Sequence, residues 1–339
     1  MHGRTLLTLA AGVLTGMMLT SNALAQSQAP APPQVTVSGV GYAQYVYQDA
    51  PVHVNNFDVT RAYVNVIGRF GGGIGTRITA DIYRLAPDNS LQYRLKYAYF
   101  TYTPTNSKLT YKLGQIHTPF IDWEEALWDY RMQGQMAMER GGYMSSSDFG
   151  LGVDGRWGAD KVNMQVGIYN GENYNGGTGD FRKDVMGRVS VRVMDTNDSS
   201  RVGGLRVTGY AQVGKPTTGG TRNRFLGMVS YRSRQLTLAG EFGITKDTVT
   251  GTPLAETKGS VLSAFGVYHL TNSKVAVIAR VDVTDPNTDV GNNKQTRLIG
   301  GVSYQLSTNV RLLADLDHLS FENGATNRNQ AFVQAQFTF

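Results

Sequence analysis

The sequence of 339 residues contains no cysteine, and only 17% of its residues are charged. The absence of cysteine excludes disulfide cross-links and thiolate metal sites. Charge falls below the usual share of about 25%, as in membrane proteins, yet the mean hydropathy of −0.26 is too polar for a bundle of apolar helices. Beyond residue 25, no run reaches the roughly 18 apolar residues that a spanning helix needs. These absences leave an exported all-β chain, either soluble or embedded in a membrane.

Residues 1–25 have the pattern of a secretory signal peptide. A basic n-region precedes an apolar stretch at residues 6–19, and Ala23-Leu24-Ala25 supplies the small residues of a cleavage site. We expect cleavage after Ala25. Residues 26–33 are rich in proline and lack an apolar pattern, so they are expected to form a disordered leader. The rest of the chain, residues 34–339, is then a single domain.

From residue 34 onward, apolar and polar residues alternate with a period of two, which indicates β-strands whose two faces meet different environments. The 40 glycines suit the turns and crowded positions of a curved sheet. We predict sixteen strands, at residues 35–48, 56–70, 73–85, 91–103, 107–116, 148–157, 160–170, 183–195, 201–213, 223–233, 234–246, 258–270, 273–284, 294–306, 309–320 and 328–339.

The predicted connections alternate in length along the chain. Links after even-numbered strands are short, such as Gly71-Gly72 and Thr271-Asn272, whereas links after odd-numbered strands are longer, up to residues 117–147. Short turns on one rim, long loops on the other and an even strand count are typical of a transmembrane β-barrel. A soluble sandwich or propeller has no reason to segregate its links in this way. We therefore predict a sixteen-stranded antiparallel transmembrane β-barrel, too wide for its side chains to fill.

One face of each predicted strand is expected to meet lipid, and the other to line an aqueous lumen. Interfacial tyrosines are expected on the lipid-facing positions Tyr45, Tyr47, Tyr97, Tyr99, Tyr231, Tyr268 and Tyr304. Fourteen basic residues take the inward positions Arg61, Arg69, Arg77, Arg94, Lys96, Lys112, Arg156, Arg188, Arg192, Arg206, Arg232, Arg280, Arg297 and Arg311. Six inward acids accompany them, namely Asp81, Asp154, Glu241, Asp282, Asp315 and Asp317.

This inward surplus of eight positive charges predicts a preference for anions, because a narrow channel focuses the field of its wall. About half of the basic residues are expected to pair with acids and hold the wall rigid, as Arg77 with Asp81 and Arg280 with Asp282. Arg94 and Lys96, two positions apart on one strand, are expected to be able to share one anion. The basic residues are spread around the circumference rather than gathered in a patch, which argues against a nucleic-acid partner.

The connection at residues 117–147 is the predicted constriction loop. Asp122 and Glu125 resemble a capping box that opens a short helix containing Trp123 and Trp128. Such apolar bulk favours a loop that folds inward and narrows the lumen, although a surface loop packed on its neighbours stays open as an alternative. Its acidic residues, which would face the basic wall, are Asp122, Glu124, Glu125 and Asp129.

The run GQIHTPF at residues 114–120 and the run GGYMSSSD at residues 141–148 resemble the phosphate-selective porin family of bacterial outer membranes. The resemblance implies a homotrimeric, water-filled channel with an inward loop and an arginine-rich wall. The acidic loop departs from a strict anion filter and instead implies the transverse field of general diffusion porins. The last residues, with Phe337 and Phe339, are similar to the C-terminal signature that the assembly machinery of outer-membrane barrels reads.

The sequence thus predicts an outer-membrane porin for passive diffusion of small hydrophilic solutes, anion-preferring, with phosphate as a candidate solute. No cofactor or enzyme activity is expected, because the histidines lack metal-ligand spacing and no nucleophile elbow or phosphate-binding loop is present. Two alternatives remain open. One is an outer-membrane hydrolase built from serine and histidine of the wall, and the other is an adhesin or scaffold with a plugged lumen.

Overall fold

The computed structural model describes residues 32–85, 88–176, 181–216, 219–249 and 255–339. The expected signal peptide and the leader up to residue 31 lie outside these ranges. The strands of the barrel are β1 (Gln34–Gln48), β2 (Val54–Arg69), β3 (Ile74–Leu85), β4 (Ser90–Tyr102), β5 (Leu109–His117), β6 (Ser147–Trp157), β7 (Val162–Tyr169), β8 (Asp184–Met194), β9 (Gly204–Gly214), β10 (Thr221–Arg232), β11 (Leu236–Val249), β12 (Ala255–His269), β13 (Val275–Asp285), β14 (Gln295–Ser307), β15 (Val310–Phe321) and β16 (Arg328–Thr338). Every predicted strand lies within three residues of an observed strand at both ends.

Neighbouring strands pair antiparallel in chain order, and β1 pairs with β16 to close the barrel. The closing register runs from Val40 opposite Thr338 to Gln48 opposite Gln330. Closure leaves no unpaired sheet edge among the described strands. A β-structure needs such closure to cross a lipid bilayer. The predicted sixteen-stranded antiparallel barrel is confirmed.

The outward face of the barrel exposes apolar side chains. In β8, for example, Val189 and Val191 are exposed, whereas Arg188 and Ser190, which alternate with them, are buried. The same alternation recurs around the barrel because successive side chains of a strand point to opposite faces. The inner face is therefore the one that carries the polar and charged side chains.

A β-bulge in β4 changes which face several side chains take. Tyr97 pairs with Thr79 and Leu95 pairs with Ala80, so Lys96 is the extra residue between them. Beyond the bulge, Tyr97 points inward and stacks on His117 of β5, with 3.9 Å between ring centroids. Tyr99 follows it and meets the edge of the same ring. The lipid-facing positions predicted for Tyr97 and Tyr99 were therefore wrong.

The link between β5 and β6, residues 118–146, is called loop 3 below. It contains helix α1 (Ile121–Trp128), a 3-10 turn (Arg131–Gln133) and helix α2 (Ala137–Arg140). The predicted short helix is present, but the capping box is wrong. The N-cap is Phe120. Asp122 lies inside the first turn of the helix, and its carboxylate accepts a hydrogen bond from Arg201. Across the ranges that the structure describes, none of the helices is long and apolar enough to span a bilayer.

The link between β8 and β9 is longer than predicted, because β9 begins at Gly204 rather than at residue 201. An Asx turn orders this link, with the Ser200 amide donating to Asp198 Oδ1 (2.8 Å). The alternation of short and long links is therefore not strict. The longer link has a consequence for loop 3, since it presents Arg201 to Asp122.

Candidate functional site

The run at residues 114–120 forms the entry to loop 3. Gly114 has φ of +128°, and a Cβ there would lie 2.2 Å from the carbonyl oxygen of Ala98. Glycine is needed at such a position because other residues are strained there. The next residue, Gln115, donates its Nε2 to the carbonyls of Leu95 (2.7 Å) and Lys96 (3.0 Å). The run thus ties the start of loop 3 to the bulge in β4.

The second half of this run fixes the direction in which loop 3 leaves the wall. The carbonyl of His117 accepts hydrogen bonds from Gln165 Nε2 (2.8 Å) and the Tyr169 hydroxyl (3.1 Å). The carbonyl of Pro119 accepts one from Arg188 Nε (2.8 Å). The polar groups of the run are therefore engaged in holding the backbone, and its role is structural support for loop 3.

Loop 3 contacts the inner wall over much of the circumference. Its contacts fall on strands from β8 to β16, on side chains that alternate with the exposed apolar ones. Trp123 and Trp128 are almost completely buried by these contacts. We infer that loop 3 occupies the lumen. The contacts are Arg188 over the ring of Trp123 (4.0 Å), Arg232 to the carbonyl of Ala126 (2.5 Å), Trp128 against Phe265 (5.2 Å between centroids), Tyr130 with Ser303 (2.6 Å) and Gln334 to the carbonyl of Met132 (2.8 Å).

Two of the four predicted loop acids bind arginines outside loop 3. Asp122 accepts a hydrogen bond from Arg201 (2.7 Å), and Asp129 from Arg311 (3.2 Å). Burial acts to raise the pKa of Asp122, but the Arg201 guanidinium outweighs burial and holds this pKa well below its usual range. These carboxylates fasten the two ends of α1 to the barrel instead of facing solute.

Glu125 takes part in a mixed cluster of charges. Arg131 binds both Glu125 (2.5 Å) and Glu139 (2.9 Å) within loop 3. Burial would raise the pKa of Glu125, but Arg131, Lys96 and Arg61 together lower it. Arg61 of β2 and Lys96 of β4 therefore lie within electrostatic reach of this cluster. Loop acids thus meet wall cations across this part of the barrel.

The two wall cations are held by a tyrosine rather than by a carboxylate. Lys96 Nζ donates to the Tyr63 hydroxyl (2.5 Å), and the Arg61 guanidinium lies 4.6 Å from the centroid of the same ring. One terminal nitrogen of Arg61 is buried without a hydrogen-bond partner among the described residues. Arg94 shares the neighbouring Tyr174 ring with Lys96, at 4.5 and 5.6 Å. We name Arg61, Lys96, Tyr63, Glu125 and Arg131 the constriction cluster.

Eight of the fourteen predicted wall cations form ion pairs with carboxylates, close to the expected half. Arg280 pairs with Asp282 as predicted (2.8 Å). The predicted pairing of Arg77 with Asp81 is wrong. The register of β3 and β4 places Arg94 directly opposite Asp81, and Arg94 binds that carboxylate (3.2 Å). The eight are Arg94, Lys112, Arg192, Arg206, Arg232, Arg280, Arg297 and Arg311. Within the described part of the chain, the six without such a partner are Arg61, Arg69, Arg77, Lys96, Arg156 and Arg188.

Several charged residues of the interior were missed by the sequence prediction. Arg224 of β10 binds Asp247 through both terminal nitrogens (2.8 and 3.0 Å), and Arg222 binds Asp184 (2.9 Å). Both arginines share the alternation of Arg232, so the period of two could have found them. Arg140 of loop 3 reaches Asp282 of the wall (3.3 Å), which no local pattern indicates. In the described ranges, no three His, Asp or Glu side chains are grouped to hold a metal ion.

No family model matches the chain, and no curated protein matches its sequence. Solved structures do resemble it. An anion-selective porin from Comamonas acidovorans has a TM-score of 0.69 at 12% identity, covering 91% of this chain and 100% of that one. OmpT, an outer membrane protein of Vibrio cholerae, has 0.66 at 12% identity over 94% and 100%. OmpF of Salmonella typhi has 0.66 at 14% identity over 90% and 97%. At these identities the likeness shows a shared fold.

Proposed function

We propose that this chain forms a channel in the bacterial outer membrane for passive diffusion of small hydrophilic solutes, with a preference for anions. The observation that carries the proposal is the constriction cluster. Arg61 and Lys96 have no carboxylate partner among the described residues, and they lie on the inner face of a closed barrel within reach of Glu125. Three cations, Arg61, Lys96 and Arg131, are set against two loop acids, Glu125 and Glu139, both of which Arg131 binds. The surplus of positive charge beside the interior favours anions.

The outer face supports the membrane part of the proposal. Exposed apolar side chains such as Val185 and Phe242 recur around the barrel and suit contact with lipid. The resembling structures are outer-membrane proteins by name, and one is an anion-selective porin. A signal peptide cleaved after Ala25 and recognition of Phe337 and Phe339 by the assembly machinery belong to the same proposal.

A homotrimer is also proposed, on the basis of a resembling structure. One resembling structure, OmpT of Vibrio cholerae, is described as a trimer form. Light scattering of the detergent-solubilised protein would give the mass of the assembly. Three chains per particle is the expected result, and a single chain would contradict this part of the proposal.

Planar-bilayer recording tests the channel. Purified protein in a KCl gradient is expected to give discrete conductance steps and a reversal potential of the sign set by chloride. A folded protein that gives no conductance would contradict the channel, and a potassium-selective reversal potential would contradict the anion preference. Added inorganic phosphate tests the narrower solute: block of the chloride current is expected if phosphate binds, and unaltered current would remove phosphate as a solute.

One observation favours a second candidate, a barrel that serves as adhesin or scaffold with a filled lumen. Loop 3 buries Trp123, Trp128 and several methionines against the wall, so it fills part of the interior. The same recording separates the candidates, because a plugged barrel would be folded and silent. For a channel we expect no peptidase or esterase turnover by the purified protein, and catalytic turnover would favour the hydrolase alternative.

A further inference from the structure

A cavity of about 350 Å³ lies between loop 3 and strands β13 to β16. Loop 3 contributes Arg140 and Tyr143 to its lining, β14 contributes Arg297, and β16 contributes Arg328. Arg297 lies two residues from the start of β14 and Arg328 is the first residue of β16, which places the cavity near the rim of the long loops. Its volume falls within the range of about 300–1,000 Å³ typical of small-molecule sites.

The cavity has more positive than negative charge. Three arginines line it against one carboxylate, that of Asp282. Asp282 is already engaged, since Arg280 binds it through two nitrogens (2.8 Å each) and Ser263 donates to it (2.8 Å). The contact from Arg140 is longer, at 3.3 Å. The carboxylate therefore leaves much of the charge of Arg140 uncompensated.

The other two arginines differ in how they are held. Arg297 is bound by Asp317 at 2.7 Å. Arg328 has no carboxylate partner, and its buried Nε has no hydrogen-bond partner in the part of the chain that the structure describes. Arg140 of loop 3 lies close to other cations. Its burial, together with the positive charges of Arg280 and Arg297, lowers the pKa of Arg140 to about 9. An anion between Arg140 and Arg328 would satisfy these donors.

We propose that this cavity binds an organic oxyanion, with its carboxylate or phosphate group between Arg140 and Arg328 and its carbon skeleton against Tyr143 and Leu319. Guanidinium groups bind planar carboxylate and phosphate through paired hydrogen bonds. The lining supplies the apolar side through Tyr143, Leu319 and Pro286. This proposal rests on the proposed function and extends it, because it names the class of anion that binds at the entrance of the channel.

Block of the chloride current by benzoate and by phenyl phosphate tests the site. Each is expected to block the wild-type channel at a concentration at least fivefold lower than inorganic phosphate. Arg328→Gln is expected to raise the half-blocking concentration of both organic anions at least fivefold, and Arg328→Lys by less. Arg234→Gln makes the same change of charge in the exposed turn between β10 and β11, and it is expected to stay within twofold of wild type.

Equal block of the Arg328→Gln and Arg234→Gln channels would overturn the site while leaving the channel intact. Equal potency of inorganic phosphate and phenyl phosphate would overturn the organic part of the ligand. Calorimetric titration of benzoate into detergent-solubilised protein tests the site without conductance. A heat of binding that is seen with the wild-type protein and is lost in Arg328→Gln supports the site, even if the barrel conducts no current. Absence of benzoate binding to the wild-type protein overturns the site. Failure of the proposed function is seen separately, as a silent or cation-selective wild-type channel.

Discussion

Gly114 sets a backbone conformation on which the path of loop 3 depends. Its φ of +128° and the 2.2 Å approach of the Ala98 carbonyl leave no room for a side chain. We predict that Gly114→Ala lowers the free energy of unfolding by about 1–3 kcal/mol, the cost of a backbone position suited only to glycine. Urea unfolding of the detergent-refolded barrel, followed by tryptophan fluorescence, measures the change.

Gly227→Ala is the matched control for this prediction. Gly227 lies within β10, and a Cβ there would meet no atom of the described residues within 4 Å. Its free energy of unfolding is expected to stay within about 0.5 kcal/mol of wild type, as for most surface substitutions. Equal losses in the two variants would show that the conformation of Gly114 is not what matters.

Arg61 is the residue on which selectivity is expected to depend most directly. A unit charge contributes about 1 kcal/mol at 4 Å in water, which corresponds to about a fivefold change in the relative permeability of chloride and potassium. We predict that Arg61→Gln lowers this ratio by up to that factor. Reversal potentials in a KCl gradient give the ratio, and Arg234→Gln, which removes a charge from an exposed turn, should leave it near the wild-type value.

Side-chain directions could be predicted from alternation only where strands are regular. Arg188 and Arg280 point inward as predicted and are buried there. The bulge at Lys96 turned Tyr97 inward instead of outward, because an extra residue shifts the period of two. The amino-acid composition of the strand does not indicate the bulge. The partner of Asp81 was mispredicted because pairing depends on register between strands, which one strand's sequence does not contain.

At the scale of elements, helix α1 carries a buried carboxyl that ties its packing to pH. Glu124 lies beside Glu241 of β11, and the four buried carboxyl oxygens receive no hydrogen bond from any other group among the described residues, so only a proton shared by the two carboxyls can join them. Burial and the neighbouring Glu241 raise the pKa of Glu124 well above its ordinary value. The folded state therefore keeps a proton that the unfolded chain loses near its ordinary pKa of about 4.3.

The sign of the pH effect follows from this proton. Because the folded state binds more protons, stability from Glu124 is fully present at acid pH and is lost as pH rises from about 4.3 through the raised pKa. We predict that the unfolding free energy falls with a slope of up to about 1.4 kcal/mol per pH unit between pH 5 and 8. Glu124→Gln should flatten this slope. Urea midpoints across the pH range measure it, and an unchanged slope in the variant would contradict the assignment.

Glu322→Gln is the control for the pH series. Glu322 is exposed in the link between β15 and β16, and it accepts only a backbone hydrogen bond from Lys294 (3.2 Å). Its slope should match that of wild type, because Glu322 is exposed and the substitution leaves the buried Glu124 and Glu241 in place. A flattened slope in this variant as well would indicate that overall charge, not Glu124, controls the effect.

Whole elements were easier to predict than the contacts between them. The strands follow from alternation, since each has one exposed, mostly apolar face and one face on the interior. Helix α1 was predicted as well, but its start was displaced because Asp122 is bound by Arg201, 79 residues further along the chain. Arg140 and Arg328 were missed for a similar reason. The cavity between them exists only once loop 3 and β16 have come together.

At the scale of the whole molecule, the barrel is closed by the pairing of its first and last strands. Phe337 lies opposite Gly41, and a Cβ on Gly41 would meet the Phe337 ring at 2.1 Å. Phe339 covers Gly39 in the same way, at 2.2 Å. Aromatic rings over glycines on the neighbouring strand stabilise sheets at such positions. The two phenylalanines therefore have a structural role at the seam, independent of any recognition during assembly.

We predict that Phe337→Ala weakens closure of the barrel more than Phe242→Ala, which removes an equally outward ring from β11 in the middle of the sheet. Loss at the seam weakens the pairing of β1 with β16, which are far apart in the chain, whereas β11 pairs with β10 and β12, its neighbours in the chain. The protein should be refolded in detergent without assembly machinery, and the temperature at which its folded band is lost on a denaturing gel compared. A drop of several degrees more for Phe337→Ala is expected. Equal drops would mean that the ring acts through contact with lipid or detergent alone. A Phe337→Ala barrel that refolds normally in detergent but is not inserted in cells would show that the ring serves recognition by the assembly machinery and not closure.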